Sequence, residues 1–176
     1  MKWKKPHALV GKRIKYRYEG GWEYHVYYES ENKVSYDVVS GPFGSRKASQ
    51  VTHSKEIAPN VVMVGWYEET GTIVVQTVNL NTMTVVSFAG FPRWVFDNPE
   101  MTHGKKEDTV EKTREMCKSL PDAPREVFFE TATIFSVEEV LSQTVPQEPI
   151  INSHNNLTES FTATGNSICT NRHGEN

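Results

Sequence analysis

The sequence has little of what defines several large classes of protein. Its 176 residues include two cysteines, Cys117 and Cys169, in dissimilar surroundings. Two such residues supply neither a disulfide framework nor a four-ligand metal site. No apolar run approaches the ~20 residues of a membrane-spanning helix. The basic start, Met1-Lys-Trp-Lys-Lys-Pro-His7, is followed by no apolar stretch, so no secretory leader is expected and the cytoplasm is the expected location. The sequon Asn156-Leu157-Thr158 would matter only in a secreted protein. Formal charge is -3 with a pI near 6.1, whereas a nucleic-acid binder wants a basic face. The six histidines, from His7 to His173, show no HxH or HExxH spacing, so no metal site is expected. A glycine-rich phosphate loop and a GxSxG elbow are also missing.

What the chain does have is aromatic residues, 11% of the total, with its seven tyrosines concentrated between Tyr16 and Tyr67. The first ninety residues read as strands. Ile14, Tyr16 and Tyr18 alternate with Arg13, Lys15 and Arg17, and Trp22, Tyr24, Val26 and Tyr28 repeat the two-residue period. Gly20-Gly21 supplies a tight turn, and Asn32-Lys33 leads into Val34, Tyr36 and Val38. Further strands are expected over residues 46–53, 61–66, 72–78 and 83–88. Seven evenly spaced strands without intervening helices predict an antiparallel meander, and closing it into a barrel removes its exposed edges. Val110, Thr113, Cys117 and Leu120 fall at helical spacing, which predicts a helix near 107–120; Cys117 on that stripe reads as packing rather than as a nucleophile. Asp97 to Glu100 reads as a turn or helix start, residues 126–135 as a strand and 137–141 as a short helix. The expected organisation is one barrel domain over 1–145 and a polar, loosely packed tail over 146–176.

Candidate chemistry lies among the inward-facing polar groups. Tyr16 and Tyr18 share a face about 7 Å apart, and Tyr24 shares a face with Trp22. Inside a small barrel, the Tyr16 and Tyr18 hydroxyls could donate to one anionic oxygen; equally, tyrosine is a good strand former with one wet end. If the strand through Val62 continues, Val64, Trp66 and Glu68 point the same way. A carboxyl at the inner end of an apolar strand would lose solvent and favour its protonated form. Arg46 follows the Gly41-Pro-Phe-Gly44 loop, which reads as a simple turn, and could reach a substrate anion. The alternative is that Glu68 is an exposed turn residue beside Glu69 and Arg46 a surface charge.

These residues resemble a known family. Gly11-Lys-Arg-Ile-Lys-Tyr16-Arg-Tyr18-Glu-Gly-Gly-Trp22-Glu-Tyr24 is similar to the opening of the bacterial phenolic acid decarboxylases, of shape G-x-x-x-x-Y-x-Y-x-x-G-W-x-Y. Tyr36, Ser40-Gly41, Arg46, Trp66-Tyr-Glu68-Glu-Thr-Gly-Thr72 and Phe91-Pro-Arg-Trp94 keep the family's order, as do Asn98-Pro-Glu100, Arg114-Glu115 and Glu130-Thr-Ala-Thr-Ile134. The likeness covers residues 11–145. It implies an all-β, lipocalin-like antiparallel β-barrel with a small helical appendage, without cofactor and usually a homodimer. The implied activity is non-oxidative decarboxylation of 4-hydroxycinnamic acids such as p-coumarate and ferulate to 4-vinylphenols. By the same likeness Tyr16 and Tyr18 would bind an anionic oxygen of the substrate. Arg46 and Glu68 would be catalytic, Glu68 as proton donor, while Tyr24 and Trp66 would line the pocket. The family has a proline where Glu69 stands, an aspartate at Ile73 and a tryptophan at Lys47, so this chain is a divergent relative. Two other readings fit the same residues: a different lyase or isomerase in that pocket, and a barrel that only binds an apolar aromatic ligand.

Overall fold

The computed structural model describes residues 6–121 and 125–140. Eight antiparallel strands close into a barrel in chain order: β1 (Lys12–Tyr18), β2 (Glu23–Ser30), β3 (Lys33–Val38), β4 (Lys47–Ala58), β5 (Val61–Tyr67), β6 (Ile73–Asn79), β7 (Thr84–Phe91) and β8 (Glu126–Glu139). The seam is β1 against β8, with Ile14 opposite Val137 and Tyr18 opposite Ala132. Between β7 and β8 the chain leaves the barrel as helix α1 (Arg93–Asp97), a 3-10 turn (Pro99–Thr102) and helix α2 (Lys106–Ser119).

The two-residue period decides which side chains enter the barrel. Ile14, Tyr16 and Tyr18 are buried on β1, Val34, Tyr36 and Val38 on β3, and Val62, Val64 and Trp66 on β5. Read along those strands, the interior changes character. One end is aliphatic, built from Ile14, Val34, Val62, Val78 and Val85, and burying such side chains is worth about 1.5–3 kcal/mol each. The other end is aromatic and polar, and the helical appendage sits there, because β7 ends and β8 begins at that rim. Phe43 from the Gly41–Gly44 loop stacks on Phe91 at 5.2 Å between ring centroids. Gly41 has φ +98, and a Cβ there would lie 2.8 Å from the Trp22 ring. The loop therefore does more than turn the chain: it lets Trp22 and Phe43 pack together over the barrel mouth.

Several expected details change. Residues 137–139 are not helical; they extend β8 against β1, because the seam needs partners for Lys12, Arg13 and Ile14. Leu141 and the 146–176 tail lie outside the described residues. Helix α1 was not anticipated, since its five residues are too few to show a period, and the predicted turn at Asp97 to Glu100 proves to be the start of the 3-10 segment. The helix near 107–120 is present as α2, with Thr113 and Cys117 as its buried residues. Trp22 precedes β2 rather than starting it. Among the described residues, no helix is long and apolar enough to cross a membrane.

The Tyr28 hydroxyl is buried without a hydrogen-bond partner. Such a group costs about 1–3 kcal/mol, so Tyr28→Phe is expected to raise stability by about 1 kcal/mol in urea unfolding. A loss of that size would show that the hydroxyl is satisfied in solution.

Candidate active site

A cavity opens at the aromatic end. Tyr16 and Tyr18 come from β1, Tyr24 from β2, Tyr36 from β3 and Trp66 from β5, so four strands turn rings into it. Trp22 and Phe128 stack at the mouth with centroids 4.8 Å apart. The walls fit a flat, apolar ligand carrying polar groups at its ends.

One wall carries the tyrosine pair. The Tyr16 and Tyr18 hydroxyls lie 2.9 and 3.1 Å from the same atom, Gln76 Nε2, so they converge on one point. Tyr18 also shares a 2.5 Å hydrogen bond with Ser87 Oγ. Gln76 donates, which leaves the Tyr16 hydroxyl hydrogen for another acceptor. Burial, reinforced for Tyr16 by the neighbouring Tyr18, pushes both phenols above their ordinary range. They therefore keep their protons and remain donors at neutral pH. Burial likewise pushes Tyr24 well up, and its ring stacks on Tyr16 at 5.8 Å.

Glu68 lies in the turn that follows β5, where the strand's alternation carries its side chain inward after Trp66. It is 8% exposed, which removes the exposed-turn alternative. Tyr36 Oη donates to its Oε1 at 2.7 Å and Trp66 Nε1 to the same oxygen at 3.0 Å. Arg46 Nη2 reaches Oε2 at 3.3 Å and the Thr70 hydroxyl reaches it at 3.4 Å. The Thr70 oxygen is also 2.9 Å from the Thr72 hydroxyl. A hydroxyl has one proton and two lone pairs, so Thr70 can donate to Glu68 or, with its proton turned to Thr72, accept from it. Trp66 is thus more than the wall expected of it, since its indole fixes the carboxyl.

Arg46 directly precedes β4 and is only 3% exposed, so it is no surface charge. Its Nε donates to Tyr36 Oη at 3.3 Å and its Nη1 to the Thr102 carbonyl at 3.4 Å. Burial opposes its charge, but Tyr36, Glu68 and Glu69 outweigh burial and hold the guanidinium protonated. Its shortest contact is to Glu69 Oε1, 2.7 Å.

All six candidate residues, Tyr16, Tyr18, Tyr24, Arg46, Trp66 and Glu68, line the one cavity. Sequence reasoning did not place Tyr36, Gln76, Ser87 or Thr70 in the site, and met Glu69 only as an added carboxyl where the family has a proline. Two had legible signals: Tyr36 sits on the inward face of its strand, and Gln76 interrupts Val74 and Val78, a polar residue at an inward position. Glu69 stood out as a departure from the family pattern, but its inward direction had no signal, because adjacent residues of an extended strand point to opposite faces. Among the described residues, no three His, Cys, Asp or Glu side chains gather where they could hold a metal ion.

Comparison with known proteins gives the same direction. The phenolic acid decarboxylase (PAD) family profile matches residues 7–164. A "Probable phenolic acid decarboxylase" of Vibrio cholerae is 30% identical over 133 residues, 75% of this chain and 76% of that protein. "Phenolic acid decarboxylase PadC" of Bacillus subtilis is 29% identical over 127 residues, 72% of this chain and 79% of that one. In fold, the chain resembles a solved structure from Burkholderia vietnamiensis named a "putative beta-lactamase". That likeness has a TM-score of 0.51 at 12% identity and covers 74% of this chain and 97% of the other; it concerns architecture alone.

Arg46→Met would leave Glu68 and Glu69 buried without their shared cation. Breaking a buried pair in this way costs about 3–5 kcal/mol, to be read from urea unfolding at pH 7. The variant's deficit should shrink toward pH 4.5, where unpaired buried carboxyls take up protons. In the unmutated protein the sign is opposite. Burial works to raise Glu69, but Arg46 and Lys106 hold it below the ordinary value. Its contribution is therefore full above about 4.3 and is lost as pH falls through the depressed value.

Proposed function

The chain belongs to the phenolic acid decarboxylase family, carboxy-lyases that act on phenolic acids, and we propose that its substrates are 4-hydroxycinnamic acids of the p-coumarate and ferulate type, converted to 4-vinylphenols and carbon dioxide. The observation that carries this reading is a buried, multiply hydrogen-bonded carboxyl, Glu68, in the same aromatic cavity as two convergent phenol donors.

Direct loss of carbon dioxide from an alkenyl carbon would leave an unstable vinyl anion. A para-phenolate opens another route. Its electrons push through the ring and the double bond, and the carbon bearing the carboxylate takes a proton from Glu68. The product of that step is a quinone methide. The bond to the carboxylate then breaks, and its electron pair returns through the ring to the phenolate oxygen. Tyr16 and Tyr18 donate to that oxygen, stabilising the charge it carries before and after the transfer. Thr70 accepts from Glu68 while the carboxyl holds its proton. Arg46, Tyr36 and Trp66 hold the carboxyl in place. Glu68 is left ionised and takes a proton back from water, so each turnover consumes one proton and no net electrons, which supports a reaction without cofactor. One positioned acid contributes about 10²–10⁴-fold; orientation and the tyrosine donors supply the rest.

The proposed assembly is a homodimer. On the outside of β5 to β8, the paired rows Gly65, Val75, Phe88, Phe129 and Tyr67, Ile73, Gly90, Val127 carry no charge. Phe129 is 69% and Val127 63% exposed. An uncharged face can meet its own copy across a two-fold axis without like-charge repulsion.

Incubation with p-coumarate should consume its ultraviolet absorption and yield 4-vinylphenol, and Glu68→Gln should lower kcat by 10²-fold or more. Wild-type turnover in that variant would overturn the donor assignment. A 4-methoxycinnamate, which forms no phenolate, should bind without reacting; its turnover would overturn the quinone methide route. For the assembly, sedimentation should give twice the 20.0 kDa chain mass, and Phe129→Glu should return the protein to the monomer. A monomeric wild type at micromolar concentration would refute the proposed pairing.

A further inference from the structure

Glu69 takes no part in the proposed steps, yet it makes the shortest contact of the central cation. Glu68 and Glu69 are neighbours in the turn between β5 and β6, and both carboxyls reach the same nitrogen. Arg46 Nη2 stands 2.7 Å from Glu69 Oε1 and 3.3 Å from Glu68 Oε2. The other Glu69 oxygen accepts from Gln50 Nε2 at 3.3 Å and faces Lys106 Nζ at 3.5 Å. Lys106, in the first turn of α2, also donates to Gln50 Oε1 at 2.8 Å and to the Ser49 carbonyl at 3.0 Å. From the far end of the same helix, Cys117 Sγ donates to the Glu69 carbonyl at 3.5 Å. Glu69 therefore ties the guanidinium to the appendage.

Two carboxyls beside one guanidinium do not ionise independently, because each negative charge opposes the other. Glu69 has the closer contact and a second cation within reach. Among the described residues, the other titratable groups placed against the pair include Tyr24 from β2, Tyr36 from β3 and Cys117 from α2, none of them cationic. The asymmetry of distance and charge thus favours Glu69 as the carboxyl that stays ionised.

We infer that Glu69 is a positioning residue for the decarboxylation: it serves as the principal counter-ion of Arg46 and so leaves Glu68 as the carboxyl of the pair that exchanges the proton. This rests on the reading of Glu68 as proton donor. Without the Glu69 charge, the guanidinium would pair with Glu68 alone and hold it as a carboxylate, a form with no proton to give.

The test is the pH dependence of kcat on p-coumarate for the wild type, Glu69→Gln, Glu69→Asp and Glu68→Gln, each checked for folding by circular dichroism. Glutamine keeps the size of Glu69 and an acceptor for Arg46 but removes the charge. The alkaline limb of kcat, where the donor loses its proton, should move in Glu69→Gln to lower pH by about one unit. Above the limb kcat should fall about tenfold, with KM changed less than about threefold. Glu69→Asp, which keeps the charge, should restore most of the limb position. An unmoved limb, or an equal loss of kcat at every pH in Glu69→Gln, would overturn the inference. If that outcome accompanies an inactive Glu68→Gln, the donor assignment survives; full activity of Glu68→Gln would instead sink the donor assignment and this inference with it.

Discussion

A guanidinium buried at the aromatic end of a closed barrel organises everything around it. Arg46 has almost no access to water, so its charge persists only because Glu68, Glu69, Tyr36 and the Thr102 carbonyl surround it. Those partners arrive from separate parts of the chain. Tyr36 is on β3, the two glutamates are in the turn after β5, and Thr102 is in the segment between the helices. A cation that strongly demands partners in a dry interior therefore fixes the relative positions of two strands, a turn and the appendage. The site's geometry follows from satisfying that one group.

The two walls of the cavity work by opposite logic. Around Glu68, charge is concentrated and then matched within a few ångströms. Around Tyr16 and Tyr18, the groups are neutral, kept so by burial, and turned toward one point by Gln76. A ligand whose negative charge moves along a conjugated path during reaction suits such a pair of walls. In the proposed reaction one end exchanges a proton, and the other stabilises an anionic oxygen without carrying formal charge itself. The stacked and edge-on rings between them supply a flat, dry passage.

Much of this architecture is legible in the alternation of residues. Ile14, Tyr16 and Tyr18 on one face, or Val62, Val64, Trp66 and then Glu68, state plainly which side chains enter a barrel. The family motif then ties those positions to a chemistry. What escapes is of two kinds. Features decided by a distant partner leave no local trace: residues 137–139 become strand because β1 needs an opposite number, and five-residue α1 is too short for periodicity. Features decided by backbone turning are hidden as well. Glu68 and Glu69 ought to diverge, and only the change of direction after β5 lets both meet Arg46. Gln76 was readable in principle, as a polar residue where the pattern called for valine.

The β1–β8 seam has a consequence for how ligand and fold depend on each other. Every other strand pair joins neighbours in the chain, whereas Lys12 opposite Glu139 closes a loop of more than a hundred residues. Loop closure of that length carries an entropic cost that short hairpins avoid. The tyrosine pair sits on the strand that shuts last in sequence terms, and Phe128 sits on its mate. An occupant of the cavity touches both sides of the join, so its binding free energy adds to that of closure, and cavity occupancy and barrel integrity become one coupled equilibrium.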